Sequence, residues 1–198
     1  KWFKKKSETL FKNNWLHLRR NAYVTERGEN IPDYYVLDFP DWVNIVAIDE
    51  MNNVLLIRHF RAGIESEIQE FVSGGVEKED ESPIAAAQRE LREEIGYLGG
   101  HFFQTGTTYA NPGNQTNKVF SYLAVDIQKD SSLVLDTSEA LVLKKMPLVD
   151  FLKEVRCSPS ETLPQALHVS ALFLALQFIE NSQHPRLKEL RKLLHTKD

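Results

Sequence analysis

Apolar and polar positions fall into two regimes along the chain. The first half carries short runs rich in β-branched and aromatic residues: "YYVLDF" (34–39), "WVNIVAI" (42–48) and "VLLIRHF" (54–60), each of strand length. "DEMNN" (49–53) predicts a hairpin turn between the last two, and "WLHLRRNAYVT" (15–25) alternates loosely toward a further hairpin near "RGEN". A helix is predicted from Pro83 to Ile95, with Ser82 as N-cap, Pro83 at the first helical position and Gly96 just past the end. Strand patterns return at 102–109, 119–125 and 140–146, and the chain closes on apolar helical patterns at 163–180 and 185–194. Strands with helices interspersed imply an α/β protein, a mixed sheet covered by helices.

Composition narrows this only modestly. The 198 residues favour one domain with an appended element, and 42% hydrophobic with 26% charged residues is ordinary for a globular chain. A net charge of −4 gives no electrostatic case for a nucleic-acid partner. One cysteine, Cys157, excludes an internal disulfide and suits a reducing cytoplasm. No run approaches the ~18 apolar residues of a membrane span, so no membrane partner is expected. The basic "KWFKKKSETLF" lacks the apolar stretch of a signal peptide and is expected to be a solvated end.

The predicted helix at 83–95 presents a conflict. With ~100° per residue, Glu93 and Glu94 fall within about 60° of Glu90, while Ile84, Leu91 and Ile95 form an apolar stripe beside them. Three carboxylates near a helix C-terminus oppose the macrodipole, and like charges four apart repel. Arg89 stands one turn before Glu93, but such a pair contributes only about 0.2–0.5 kcal/mol. A solvated charged face is one reading. A site for a hard divalent cation, which prefers oxygen ligands and takes carboxylates together with substrate phosphates, is the other.

A resemblance carried by the following residues bears on the choice. Gly75, Glu81, Arg89, Glu90, Leu91, Glu93, Glu94 and Gly96 occupy the fixed positions of G-x5-E-x7-R-E-U-x-E-E-x-G-U, with Tyr97 in the final apolar slot. The chain therefore resembles the Nudix hydrolase family. The resemblance implies a Nudix fold, a mixed β-sheet sandwiched between helices and preceded by an N-terminal antiparallel β extension. It also implies a Mg²⁺ or Mn²⁺ cofactor and cleavage of a diphosphate joined to another moiety. Glu90 and Glu94 would be metal ligands, joined by the backbone carbonyl of Gly74, with Glu93 close by or acting through water. Arg89 would orient the glutamates, paired with Glu81.

Further residues resemble the ADP-ribose pyrophosphatase branch. "YANPG" puts Pro112 in a loop like that branch's specificity loop, and "VLLIRHFRAG" before "QEFVSGG" is similar to its "VLLVRQYR…ELPAG", although Ser73 and an extra residue depart from it. The resemblance covers about residues 15–179. It implies a nucleotide-sugar substrate (ADP-ribose, or a relative such as GDP-mannose) and a homodimer formed through residues 1–40, with residues 41–198 as the hydrolase domain. Glu139, in "SEALVLKKMPL", aligns with that branch's catalytic base, with Asp136 behind it. Arg61 resembles a phosphate-contacting arginine or is a solvated strand end; Glu70 contacts the nucleoside or faces solvent. Tyr34, Tyr35 and Phe39 either stack on a base or fill the sheet core. The six histidines have no ligand spacing and read as structural. Two alternatives stay open: another Nudix substrate, such as a nucleoside triphosphate or dinucleotide, and a non-catalytic nucleotide-sugar-binding regulator.

Overall fold

The computed structural model describes residues 1–131 and 141–195. The chain divides into two compact units, Lys1–Asp41 with Thr108–Val119, and Trp42–Thr107 with Phe120–Asp198.

The first unit is a three-stranded antiparallel sheet in the order β1 (Trp2–Lys12), β2 (His17–Thr25), β3 (Asn30–Asp38). The basic N-terminal stretch is thus a paired strand rather than a loose solvated end. Almost every residue of β1 is exposed, so it has no buried face and no period-2 signal to read. The loop carrying "YANPG" belongs to this unit: Leu37 donates its N–H to Asn114 O (2.8 Å) and accepts from Thr116 N–H (3.2 Å). Arg19 makes a two-nitrogen contact with Asp38 (2.5 and 2.6 Å), and Thr116 Oγ1 adds a third bond at 3.1 Å.

Among the described residues, the second unit is built on an eight-stranded sheet. Its strands are β4 (Trp42–Asp49), β5 (Asn53–Arg61), β6 (Ser66–Glu70), β7 (Val72–Gly75), β8 (Tyr97–Leu98), β9 (His101–Tyr109), β10 (Lys118–Lys129) and β11 (Val142–Pro147). Their central order is β11-β5-β4-β10-β8, with β6 on β5, β7 on β4 and β9 on β10. Asp49 closes the β4–β5 turn by accepting from the N–H groups of Met51 and Asn53 (3.0 and 2.9 Å).

Residue parity separates the two faces of this sheet. Val46, Ile48, Val54, Leu56, Leu123 and Val125 pack against α2 (Leu148–Cys157), α4 (Ala166–Asn181) and α5 (Pro185–Leu194). Ile45, Ala47, Leu55, Ile57, Tyr122 and Ala124 pack against α1 (Pro83–Ile95). Each fully buried aliphatic side chain is worth about 1.5–3 kcal/mol, so both faces are strongly specified. The parity slips once: Asp126 takes a left-handed backbone (φ 58°), and Ile127 joins Tyr122 and Ala124 on the α1 face.

Short elements escape the sequence pattern: β6, β7, α2 and the one-turn α3 (Pro159–Thr162) all lie between the predicted segments. The helix at 83–95 has the predicted ends. Ser82 accepts from Ala85 N–H (3.3 Å), and Gly96, at φ 69°, donates back to Arg92 O (3.0 Å). Its buried stripe differs in one member: Leu91 and Ile95 are buried with Ala86 and Ala87, whereas Ile84 is on the surface. No described helix is long and apolar enough to cross a membrane.

Candidate active site

Around the turn from β7 into α1, one guanidinium gathers Asp80, Gly75, Glu90 and Glu93. Arg89 Nε and Nη2 meet the two oxygens of Asp80 (3.1 and 3.0 Å), and Nη2 also donates to Gly75 O (3.0 Å). Arg89 Nη1 donates to Glu90 Oε1 and Glu93 Oε2, both at 3.0 Å. The expected pairing with Glu81 gives way to Asp80. That residue is held in place by its own loop, since Glu77 N–H donates to Asp80 Oδ2 (2.8 Å), whereas Glu81 is exposed.

These contacts set the electrostatics. The hydrogen bond from Arg89 holds the Asp80 carboxyl below its ordinary value, and Asp80 in turn raises Arg89. Glu90 moves the other way: burial pushes its carboxyl up, against the pull of Arg89. Its side chain is 12% exposed, against 60% for Glu93.

Glu90 is seated on Gly74. A Cβ added at position 74 would meet the Glu90 carboxylate, so any other residue there would displace the end of that side chain from its present seat. The Glu90 carboxylate near the Gly74 backbone, and half-buried Glu94 one turn further along α1, carry only oxygen donors, the chemistry a hard divalent cation takes. Among the described residues, no three histidine, cysteine or acidic side chains stand assembled as a ready-made metal cage. Glu90 and Glu93 face Arg89 instead. Glu139 and Asp136, the candidate bases, lie outside the described residues.

A second ion-pair group forms where β5 and β6 run side by side. Arg61 Nε lies 3.0 and 2.9 Å from the two oxygens of Glu70, and Nη2 lies 2.7 Å from Oε2. Glu70 is fully buried, which excludes the solvent-facing alternative for it, and Arg61 is a partnered side chain rather than a loose strand end. Burial alone would raise the Glu70 carboxyl; facing His168 and Arg61 outweigh it and hold the group below its usual range. His168, also fully buried, places Nε2 3.6 Å from Glu70 Oε1, and His59 Nδ1 lies 4.0 Å from Oε2. The contribution of His168 escaped sequence reading because no spacing connects it to a residue almost a hundred positions away.

Pro112 stands in the first unit. Its loop borders a pocket of about 310 Å³ with Trp2, Tyr23, Tyr34 and Arg19. The three aromatic rings pack edge to face or tilted, with centroids 5.7–5.9 Å apart, and the Tyr34 hydroxyl donates to Gly113 O. Tyr34 and Phe39 are half-buried and Tyr35 is half exposed, so this thin sheet buries none of the three completely.

Comparison with known proteins places these features. Residues 39–166 match the NUDIX domain family. The chain is 29% identical over 121 residues to an ADP-ribose pyrophosphatase of Bacillus subtilis (strain 168), covering 61% of this chain and 65% of that protein. An ADP-ribose pyrophosphatase of Mycobacterium tuberculosis (strain ATCC 25618 / H37Rv) is 29% identical over 123 residues, 62% of this chain and 59% of its own length. The match thus spans less than two thirds of either pyrophosphatase. A methanol dehydrogenase activator of Bacillus methanolicus is 26% identical over 176 residues, 87% of this chain and 91% of that protein. A solved structure, described as the crystal structure of ADP compounds hydrolase, superposes with a TM-score of 0.78 at 26% identity, over 91% of this chain and 95% of its own. With more than half its length matched, the chain belongs to the NUDIX domain family.

Proposed function

We propose that the protein is a divalent-metal-dependent hydrolase of a nucleoside diphosphate sugar, with ADP-ribose as the leading substrate and GDP-mannose or another nucleotide sugar next. Cleavage of the pyrophosphate bond by water yields a nucleoside monophosphate and a sugar phosphate. The observation that carries this reading is the seat of the Glu90 carboxylate on Gly74, organised by Arg89. Glu90, Glu94 and the Gly74 carbonyl would hold Mg²⁺ or Mn²⁺, with Glu93 beside them. When bound, the ion neutralises phosphate charge and activates water. Arg89 keeps the carboxylates oriented. Arg61, backed by Glu70, supplies a guanidinium for a phosphate oxygen. Glu139 takes a proton from the attacking water, and the Pro112 loop contributes to substrate choice. The names of the pyrophosphatase relatives and of the solved ADP compounds hydrolase support the substrate class.

Residues 1–40 form the dimerisation extension in this reading. Trp2, Phe3, Leu10, Phe11 and Tyr35 leave apolar surface on the small sheet that an isologous partner would cover. A reducing cytoplasm suits the free, exposed Cys157. The second reading, a nucleotide-sugar-binding regulator, is favoured by the nearly full-length similarity to a methanol dehydrogenase activator. The intact acidic positions of the motif speak against a purely non-catalytic role.

A panel of nucleotide sugars with Mg²⁺, run on wild type, Glu94→Gln and Glu139→Gln, tests the proposal. Wild type is expected to hydrolyse ADP-ribose, and each variant to lose about 10²-fold or more in kcat. Binding without turnover across the panel would favour the regulator. Full activity of Glu94→Gln would remove it from the metal site, and full activity of Glu139→Gln would remove it as base.

A further inference from the structure

His168 is an odd residue to find inside α4. Its ring is fully buried against Phe71, with centroids 5.8 Å apart and planes nearly perpendicular, a place where an apolar side chain would pack without a desolvation cost. Neither ring nitrogen has a hydrogen-bond partner among the described residues, and Nε2 lies 3.6 Å from Glu70 Oε1. A buried imidazole facing a buried carboxylate across that distance acts on the carboxylate.

The effect on the carboxylate passes to Arg61. Rotation about the last bond of a glutamate is soft, so nothing within Glu70 itself sets the plane of its two oxygens. His168 borders Oε1, while Arg61 meets both oxygens with Nε and Oε2 with Nη2. An edge-on arginine–carboxylate pair is close to coplanar, so the plane of Glu70 sets the plane of the guanidinium. This leaves Arg61 Nη1, which has no protein partner among the described residues, as the nitrogen available to an anion.

We propose that His168 is a positioning residue for the diphosphate: from α4 it fixes the Glu70 carboxylate, which fixes Arg61, which presents Nη1 to a phosphate oxygen. The inference rests on the reading that Arg61 contacts the substrate diphosphate.

A double-mutant cycle tests it, using His168→Leu, Arg61→Ala and the pair, with His168→Gln as the conservative variant that keeps an N–H donor. ADP affinity in the presence of Mg²⁺ and the KM for ADP-ribose are both measured. His168→Leu is expected to weaken ADP binding and raise KM by about five- to tenfold, with kcat within about twofold of wild type. It should have no further effect once Arg61 is alanine, and His168→Gln should recover most of the loss. An equal loss in both Arg61 backgrounds, or no loss in either, overturns the proposal and leaves His168 a packing residue. If wild type neither binds ADP nor hydrolyses ADP-ribose, the functional reading itself fails. The same cycle read by urea unfolding, which needs no ligand, still judges the relay: non-additive effects support the coupling, and additive ones reject it. Should His168→Leu not fold, His168→Gln and His168→Asn carry the cycle under the same criteria.

Discussion

Arg89 and Arg61 are both largely sheltered, with side chains 23% and 31% exposed, yet their donors are arranged for different tasks. Arg89 hydrogen-bonds four residues, Asp80, Gly75, Glu90 and Glu93, with Glu77 3.8 Å from Nη1, and every one of its nitrogens is engaged. Arg61 gives one edge to Glu70 and keeps Nη1 unengaged by protein among the described residues. A saturated guanidinium is a scaffold, because it has nothing left for a ligand. One with a single buried anchor is both fixed and available. Residue type alone would have assigned the two arginines the same role.

The largest effect that would break this contrast is expected from Arg89→Ala. It strands Asp80 and Glu90, whose side chains are 7% and 12% exposed, without a counter-charge. A loss of about 2–4 kcal/mol in urea unfolding and of ~10²-fold or more in kcat/KM should follow. A stability change under ~1 kcal/mol would show that the four contacts are not structural. Arg61→Lys comes next. It keeps the charge and loses the planar edge, so KM for ADP-ribose should rise about tenfold with kcat within about twofold. A fall in kcat with unchanged KM would place Arg61 in the transition state instead.

The smallest effect sharpens the role of burial. Asp38 and Arg19 form a two-nitrogen pair in the first unit, but the Asp38 side chain is 27% exposed where Glu70 is fully buried. Asp38→Asn should cost under ~1 kcal/mol at neutral pH. Its hydrogen bond from Arg19 lowers the native carboxyl from the ordinary 3.8, so the pair's stabilisation is complete above that pH. It is lost as pH falls through the lowered native value, and the gap between wild type and Asp38→Asn in urea titrations should close there. A gap that widens on acidification would contradict the assignment.

What was legible in the sequence follows the range of the interactions. The ends of α1 were readable because Ser82 and Gly96 act on residues within one turn, and the motif glutamates because their spacing is local. Asp80 was not, since choosing it over Glu81 depends on the fold of the Glu77–Asp80 turn. Ile84 was assigned to the buried stripe because helix angles do not reveal where the opposing sheet ends. β1 was missed because both of its faces meet solvent, and α2 because its apolar positions follow β11 without a separating polar segment. Glu70 could be flagged as a candidate, but its burial and its tie to His168 exist only after β6 and α4 have packed.

The segment Thr108–Val119, with the loop between β9 and β10 at its centre, also bears on how the protein is made. Its hydrogen bonds to Leu37 join partners 77 and 79 positions apart (114 − 37 and 116 − 37), and the intervening chain includes all of α1. On a ribosome, β1, β2 and β3 emerge before this segment and wait for it while the next strands are synthesised. The small sheet spends that interval with the Leu37 backbone groups open and apolar rings such as Trp2 and Phe11 near the surface. A fragment ending at Asp41 would remain in that waiting state, and self-association during synthesis is the hazard this chain order creates.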